Sequence, residues 1–198
     1  MKKIVLSGLL FICLLSGQSY VLEFDGSNDY LSVAVDDNAS TKLEGQFTVS
    51  AWVFIEGENK QQIFYNEGVE LEWLGTAYNL FKMQPGGVSS VSNLHRHQWH
   101  HVVMTRNSSD RIQIYVNGDL AQGYESDSNT FDGIFYVGRD PDQGEYFDGS
   151  MDEIAIWSTE LSASQINTLY NKGMPESATN ILGVASSLQS YWKLEQST

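Results

Sequence analysis

The 198-residue chain carries 25 acidic against 11 basic residues, a formal net charge of −14. A surface of that sign repels phosphate backbones and anionic lipids, which argues against nucleic-acid and membrane-surface roles and is compatible with calcium, neutral glycans or plain solubility. The only cysteine, Cys13, falls within the leader described next, so no disulfide is expected in the remaining chain.

Lys2 and Lys3, an apolar run over 4–15 and the small exit Ser16-Gly17-Gln18-Ser19 form the pattern of a secretory signal peptide, cut after Ser19. The apolar run is short for a bilayer, so no membrane insertion of the mature chain is expected. Position 18 is Gln where a lipoprotein would carry cysteine, so no lipid anchor is expected there. From Tyr20 onward 179 residues remain, enough for one well-buried domain and short for two. They hold nine basic and 25 acidic residues, a net charge of −16.

Strand signals dominate that domain. Short candidates at 21–24 and 30–35 come first, separated by the turn-forming run Asp25-Gly26-Ser27-Asn28-Asp29. FTVSAWVFI (47–55) alternates Phe47, Val49, Ala51, Val53 and Ile55 on one face, with Trp52 and Phe54 on the other. Further strands are expected at 62–65, 69–74, 78–83, 88–91 and 101–106. IQIYVNGDL (112–120) turns at Asn117-Gly118, a pair that tolerates the positive φ of a tight hairpin. A strand at 134–138 follows.

After the Asp148-Gly149 turn, 151–157 reads as a strand with Ile154 and Ile156 on one face. Ser162 and Gln165 have the spacing of a capping box, and Ile166, Leu169 and Tyr170 follow at helical spacing. Gly173 and Pro175 end that helix. Residues 176–187 read as a loose surface connection, and 190–194 as a last strand that either closes the domain or begins another repeat, closure being favoured because a stub would leave Tyr191, Trp192 and Leu194 nothing to bury against. About a dozen short strands and one late helix imply an all-β, antiparallel two-sheet sandwich with one short C-terminal helix.

The ordered motifs LEFDGSNDYLSV (22–33), FTVSAWVF (47–54), WHHVVMTR (99–106), IQIYVNGDL (112–120), IFYVGRD (134–140) and YFDGSMDEIAIWSTELSASQINTLYNKG (146–173) resemble laminin-G-like, concanavalin-A-like (pentraxin-like) jelly-roll domains. The resemblance spans nearly the whole mature chain. It implies two packed sheets, one concave, with the first and last strands side by side. It also implies a structural calcium ion near that junction, with Asp25, Asn28, Asp29, Asp148 and Asp152 as ligands and Asp152 the favoured one. Ordinary turn formation accounts for the same residues without metal.

All four histidines, His95, His97, His100 and His101, fall within seven residues. No cysteine or converging carboxylate accompanies them, so strand packing is the better account than a transition metal. Glu70 and Glu72 share a strand face, the one hint of a retaining glycosidase pair. The glucanase-like E-x-D-x-x-E pattern is absent, and a solvated strand edge explains the pair, so the chain is expected not to be an enzyme. Trp52, Trp99 and Trp157 lie within the resembling motifs and belong to the core. Tyr65, Trp73 and Tyr78 lie in the variable middle, where a sugar would stack, and are the expected ligand-binding residues. The function read from the sequence is a secreted binding or adhesion module for a glycan or an extracellular protein. The competing reading is a structural or decoration subunit that self-assembles on a surface or virion.

Overall fold

The computed structural model describes residues 4–7, 21–34, 45–66, 69–84, 88–90, 93–125 and 134–193. In chain order the first strands are β1 (Ile4–Ser7), β2 (Leu22–Asp25), β3 (Tyr30–Ala34), β4 (Phe47–Ile55), β5 (Gln61–Asn66) and β6 (Val69–Trp73). Then come β7 (Phe81–Gln84), β8 (Val88–Ser89), β9 (Trp99–Arg106), β10 (Arg111–Val116), β11 (Asp119–Glu125) and β12 (Ile134–Val137). The chain closes with β13 (Arg139–Asp140), β14 (Glu145–Tyr146), β15 (Asp148–Trp157), the helix α1 (Ala163–Tyr170), three short 3-10 turns and β16 (Leu188–Trp192).

These strands build two antiparallel sheets. Sheet one runs β1-β3-β12-β5-β6-β7-β8; sheet two runs β11-β10-β9-β4-β15-β16, with β2 also paired to β15. β13 and β14 form a separate small ribbon. Period-2 alternation decides which side chains meet between the sheets. Val49, Ala51, Val53 and Ile55 of β4 face inward with Val102, Met104, Ile112 and Ile114. Leu31, Phe64, Leu71, Trp73, Phe81, Met83, Phe135 and Val137 of sheet one close the core from the other side.

β15 breaks the alternation. Its register with β4 shifts between Asp152 and Ala155, and Glu153 adopts φ 49°. The extra residue of this bulge returns Met151 and Ile154, three positions apart, to the same inner face.

The outer face of sheet two is covered by the C-terminal segment. Ser162 caps α1 as its spacing implies: its Oγ accepts from the Gln165 N–H, and Gln165 Oε1 accepts from the Ser162 N–H at 2.8 Å. Ile166 and Leu169 then bury against Val103, Tyr115 and Trp157. Residues 176–187 are not the loose connection expected, because Ala178, Ile181 and Val184 enter this second cluster. β16 pairs with β15, so the last strand does close the domain.

Three further expectations are corrected. Trp73 is fully buried edge-to-face with Phe81, so it presents nothing to a ligand. The strand expected from Tyr78 begins only at Phe81, leaving Tyr78 in an exposed turn. β6 lies inside sheet one between β5 and β7, so Glu70 and Glu72 are not on a solvated edge. Within the presumed leader, Ile4–Ser7 runs antiparallel along β3; the rest of the leader lies outside the described residues.

The histidines do not converge. His95 and His97 are exposed, while His100 and His101 are buried in β9. His101 Nε2 lies 2.9 Å from Ser50 Oγ, and its ring stacks under Tyr170 beside Trp52. Burial holds the His101 pKa down to about 3. Between the unfolded value of about 6.5 and that folded value, the unfolded chain binds a proton that the folded chain refuses. Stability from this group is therefore present above about pH 6.5 and lost as pH falls below it. Urea denaturation at pH 7 and pH 5 should show wild type losing about 2 kcal/mol more than His101→Gln. Equal losses would mean that His101 already carries its proton when folded.

Candidate functional site

Two regions collect polar groups whose positions the fold explains. The first is the seam where the early and late strands meet. β2 pairs with β15 so that Asp25 stands opposite Asp148, as the adjacency of first and last strands requires. The turn after β2 is tied by Asp25, whose Oδ1 accepts from the Ser27 N–H at 2.8 Å and the Asn28 N–H at 3.4 Å. Asp29 Oδ2 accepts from the Asp25 N–H at 3.0 Å. Asp29 is only 2% exposed, and its Oδ1 has no hydrogen-bond partner. Burial pushes the Asp29 carboxyl above its ordinary range, and the neighbouring Asp25 charge adds to that.

Glu23, Phe24, Asp25, Asp29, Glu56, Asp148 and Gly149 line an open pocket of about 350 Å³ here. Five carboxylates and no cationic side chain face that space. Gly57 lets Gln61 and Asp148 pack against the backbone beside this pocket, since a Cβ there would come within 1.9 Å of Gln61 Nε2 and 3.0 Å of Asp148 Oδ2. As the side chains stand, no three His, Cys, Asp or Glu among the described residues converge closely enough to hold a metal ion.

Of the five residues expected to hold calcium, the fold brings Asp25, Asp29 and Asp148 to this pocket. Asn28 is exposed and does not line it. Asp152 lies four residues along β15 from Asp148, about 13 Å at strand rise. There it serves the bulge, its Oδ1 accepting from the Glu153 N–H at 2.7 Å.

The second region is the outer face of sheet one. The second apolar cluster lies against sheet two alone; on the outer face of sheet one Gln62, Tyr65 and Glu72 are buried, while Tyr30 and Tyr136 are partly exposed. Tyr30, Tyr136 and Tyr65, from the neighbouring strands β3, β12 and β5, form a row across it. Ring centroids are 5.9 Å apart for Tyr30–Tyr136 and 6.3 Å for Tyr136–Tyr65. Tyr65 donates to Asp142 Oδ2 at 2.8 Å, and burial together with that carboxylate raises its phenol pKa. Arg139 lies over the row, its Cζ 4.7 Å from the Tyr30 centroid and 5.7 Å from that of Tyr146.

Beside the tyrosines, Glu72 is buried between Lys60 Nζ at 2.6 Å and Lys82 Nζ at 3.5 Å, and Lys60 also reaches Glu145 at 3.0 Å. Glu70 is half-buried; burial raises its pKa, and Asp140 and Glu72 add to the rise. Of the aromatic residues expected to bind ligand, only Tyr65 lies in this row. Tyr30, Tyr136, Tyr146 and Arg139 escaped sequence reading. The usable signal was parity, since Tyr136 alternates with inward Phe135 and Val137 as Tyr30 does with Leu31.

Over residues 25–167 the chain matches the family model of the concanavalin A-like lectin/glucanases superfamily. The chain belongs to that superfamily. Among solved structures, this member is similar to a putative carbohydrate-binding protein from Bacteroides ovatus, at 22% identity and a TM-score of 0.69, covering 94% of this chain and 58% of the other. It is also similar to the receptor-binding domain of a botulinum neurotoxin C/D mosaic serotype, at 18% identity and a TM-score of 0.63, covering 86% and 46%. The botulinum neurotoxin serotype C1 binding domain follows at 13% identity and 0.66, covering 87% and 48%. The chain thus spans about half the length of the structures it matches, and at these identities the likeness is one of fold. Among curated proteins nothing matches.

The buried Asp29 charge yields a test of the seam. Its folded pKa is raised, so the aspartate costs stability once pH rises through that value. Asparagine keeps an acceptor for the Asp25 N–H and removes the charge. In metal-free buffer Asp29→Asn should melt no lower than wild type at pH 7, with its relative advantage shrinking toward pH 3. A clear loss at pH 7 would show that the carboxylate has a stabilising partner there.

Proposed function

We propose that this chain is a secreted, non-catalytic module that binds a glycan on the outer face of sheet one. The observation that carries the proposal is the tyrosine row on the outer face of sheet one, where Tyr30 and Tyr136 stay partly exposed beside the buried Tyr65. Sugars present C–H faces that stack on aromatic rings, and polar side chains beside the rings orient hydroxyl groups. The leader pattern at 1–19 supports secretion. Superfamily membership supports sugar recognition, as does likeness to a putative carbohydrate-binding protein. Botulinum neurotoxin type C, a further fold relative, is described as entering cells through interaction with two ganglioside molecules.

Catalysis by the Glu70–Glu72 pair has little support. A retaining glycosidase needs two carboxyl groups about 5–5.5 Å apart flanking a bound sugar, and both must reach it. Glu72 is 1% exposed and held between two lysines, out of reach of a substrate.

The seam is proposed as a structural calcium site built on Asp25, Asp29 and Asp148. Calcium takes six to eight hard oxygen ligands, and carboxylates with no cation beside them suit it. The orphaned Asp29 Oδ1 favours this reading. Binding requires the Asp25 and Asp148 carboxylates to turn toward Asp29.

A glycan array probed with the secreted protein should give binding that falls on the order of tenfold in Tyr136→Leu, with melting unchanged. Binding to a protein ligand and to no glycan would move the reading to the other class of extracellular partner. For the seam, the melting temperature should rise with added calcium by mass action, about 2.7 kcal/mol at one hundred times Kd. Chelator should reverse the rise, and Asp29→Asn should abolish it. Melting unchanged by calcium and by chelator would remove the calcium proposal.

A further inference from the structure

On the reading that the tyrosine row binds sugar, we propose that the sugar is an acidic one, its carboxylate held by Arg139. The chain has only 11 basic residues against 25 acidic ones, so an arginine has many opportunities for an acid partner. Lys60 and Lys82 pair with glutamates on this same face. Among the described residues Arg139 makes no ion pair and no hydrogen bond. It is held instead by rings, its Cζ 4.7 Å from the Tyr30 centroid, 5.7 Å from Tyr146 and 5.8 Å from Tyr136.

That arrangement orients without neutralising. A guanidinium over an aromatic ring uses its flat face and leaves its in-plane N–H groups for another partner. Arg139 Nε is itself buried, so the donors left are the two terminal NH2 groups. Those form the end-on fork that matches the two oxygens of a carboxylate.

The acids of the ribbon that carries Arg139 have partners of their own, although Asp140 Oδ2 is left without one. Asp140 Oδ1 accepts from the Asp142 and Gln143 N–H groups at 2.7 and 3.0 Å. Asp142 takes the Tyr65 hydroxyl, and Glu145 takes Lys60. Their charge still disfavours a bare anion at this surface. The ligand must therefore bring stacking area along with its carboxylate, as sialic acid and the uronic acids do. Tyr136 and Tyr146, both partly exposed, supply the neighbouring rings.

The test is calorimetric titration of the full chain with 3′-sialyllactose, with an oligogalacturonate and with lactose, against wild type, Arg139→Gln and Arg139→Lys. At least one acidic sugar should bind wild type and weaken on the order of tenfold or more in Arg139→Gln. Lysine, lacking the fork, should restore only part of that loss, and added salt should weaken wild type more than Arg139→Gln. The acidic arm that responds identifies the source of the carboxylate. Equal affinity of wild type for lactose and both acidic sugars, or acidic binding unchanged in Arg139→Gln at unchanged melting temperature, overturns the role of Arg139 and leaves the glycan reading standing. Binding of no sugar, here or across the glycan array, overturns both.

Discussion

β15 hydrogen-bonds to three other strands along its ten residues, and the rest of the sandwich is arranged around that pairing. One of its edges lies along β4. The other is shared between β2 near Asp148 and β16 near Trp157, so the early and late parts of the domain meet on a single strand. Close packing at this strand is strict. A Cβ on Gly149, which has φ 144°, would lie 2.1 Å from the Phe54 carbonyl oxygen. The bulge at Asp152–Glu153 then rotates the second half of the strand so that Ile154 and Ile156 return to the core. Glu153 takes its positive φ inside this bulge, and its carboxylate accepts from the Tyr191 hydroxyl of β16.

The same strand accounts for the acidic seam. Pairing Asp25 with Asp148 places two carboxylates across a ladder where like charges oppose one another. The buried Asp29 sits behind them with one oxygen unpaired. Such a concentration of charge weakens a sheet unless a cation or solvent offsets it. Turn chemistry accounts for Asp25 Oδ1 and Asp29 Oδ2, and it leaves the buried Asp29 Oδ1 without a partner.

The two outer faces of the sandwich have different fates because the chain beyond β15 can cover only one. It turns back over sheet two, where α1, Ala178, Ile181 and Val184 bury Trp157, Val103 and Tyr115. Sheet one keeps the tyrosine row, with Lys60, Lys82, Glu72 and Glu145 paired off beside it and Arg139 held by the rings alone. The outward positions on β3 and β12 stay partly exposed, while those on β5 are buried.

Sequence alone determined the elements whose signals are local. The capping box at Ser162 and Gln165, the Asn117-Gly118 hairpin and the alternation over 47–55 each depend on neighbours within a few residues, and each forms as read. Other features depended on partners distant in the chain. Trp73 and Tyr65 are both aromatic strand residues of one hairpin, yet only packing against Phe81 sends the first inward while Asp142 holds the second outward. Glu72 looked like an exposed edge because its lysines, Lys60 and Lys82, become neighbours only through β5 and β7. Asp152 looked like a ligand because a bulge that moves it into a structural role leaves no clear trace in composition. Local periodicity specifies strands and a helix. Which aromatic residues stay partly exposed and which carboxylates meet is decided only when the sheets close, because burial and charge proximity depend on contacts between residues far apart in the chain.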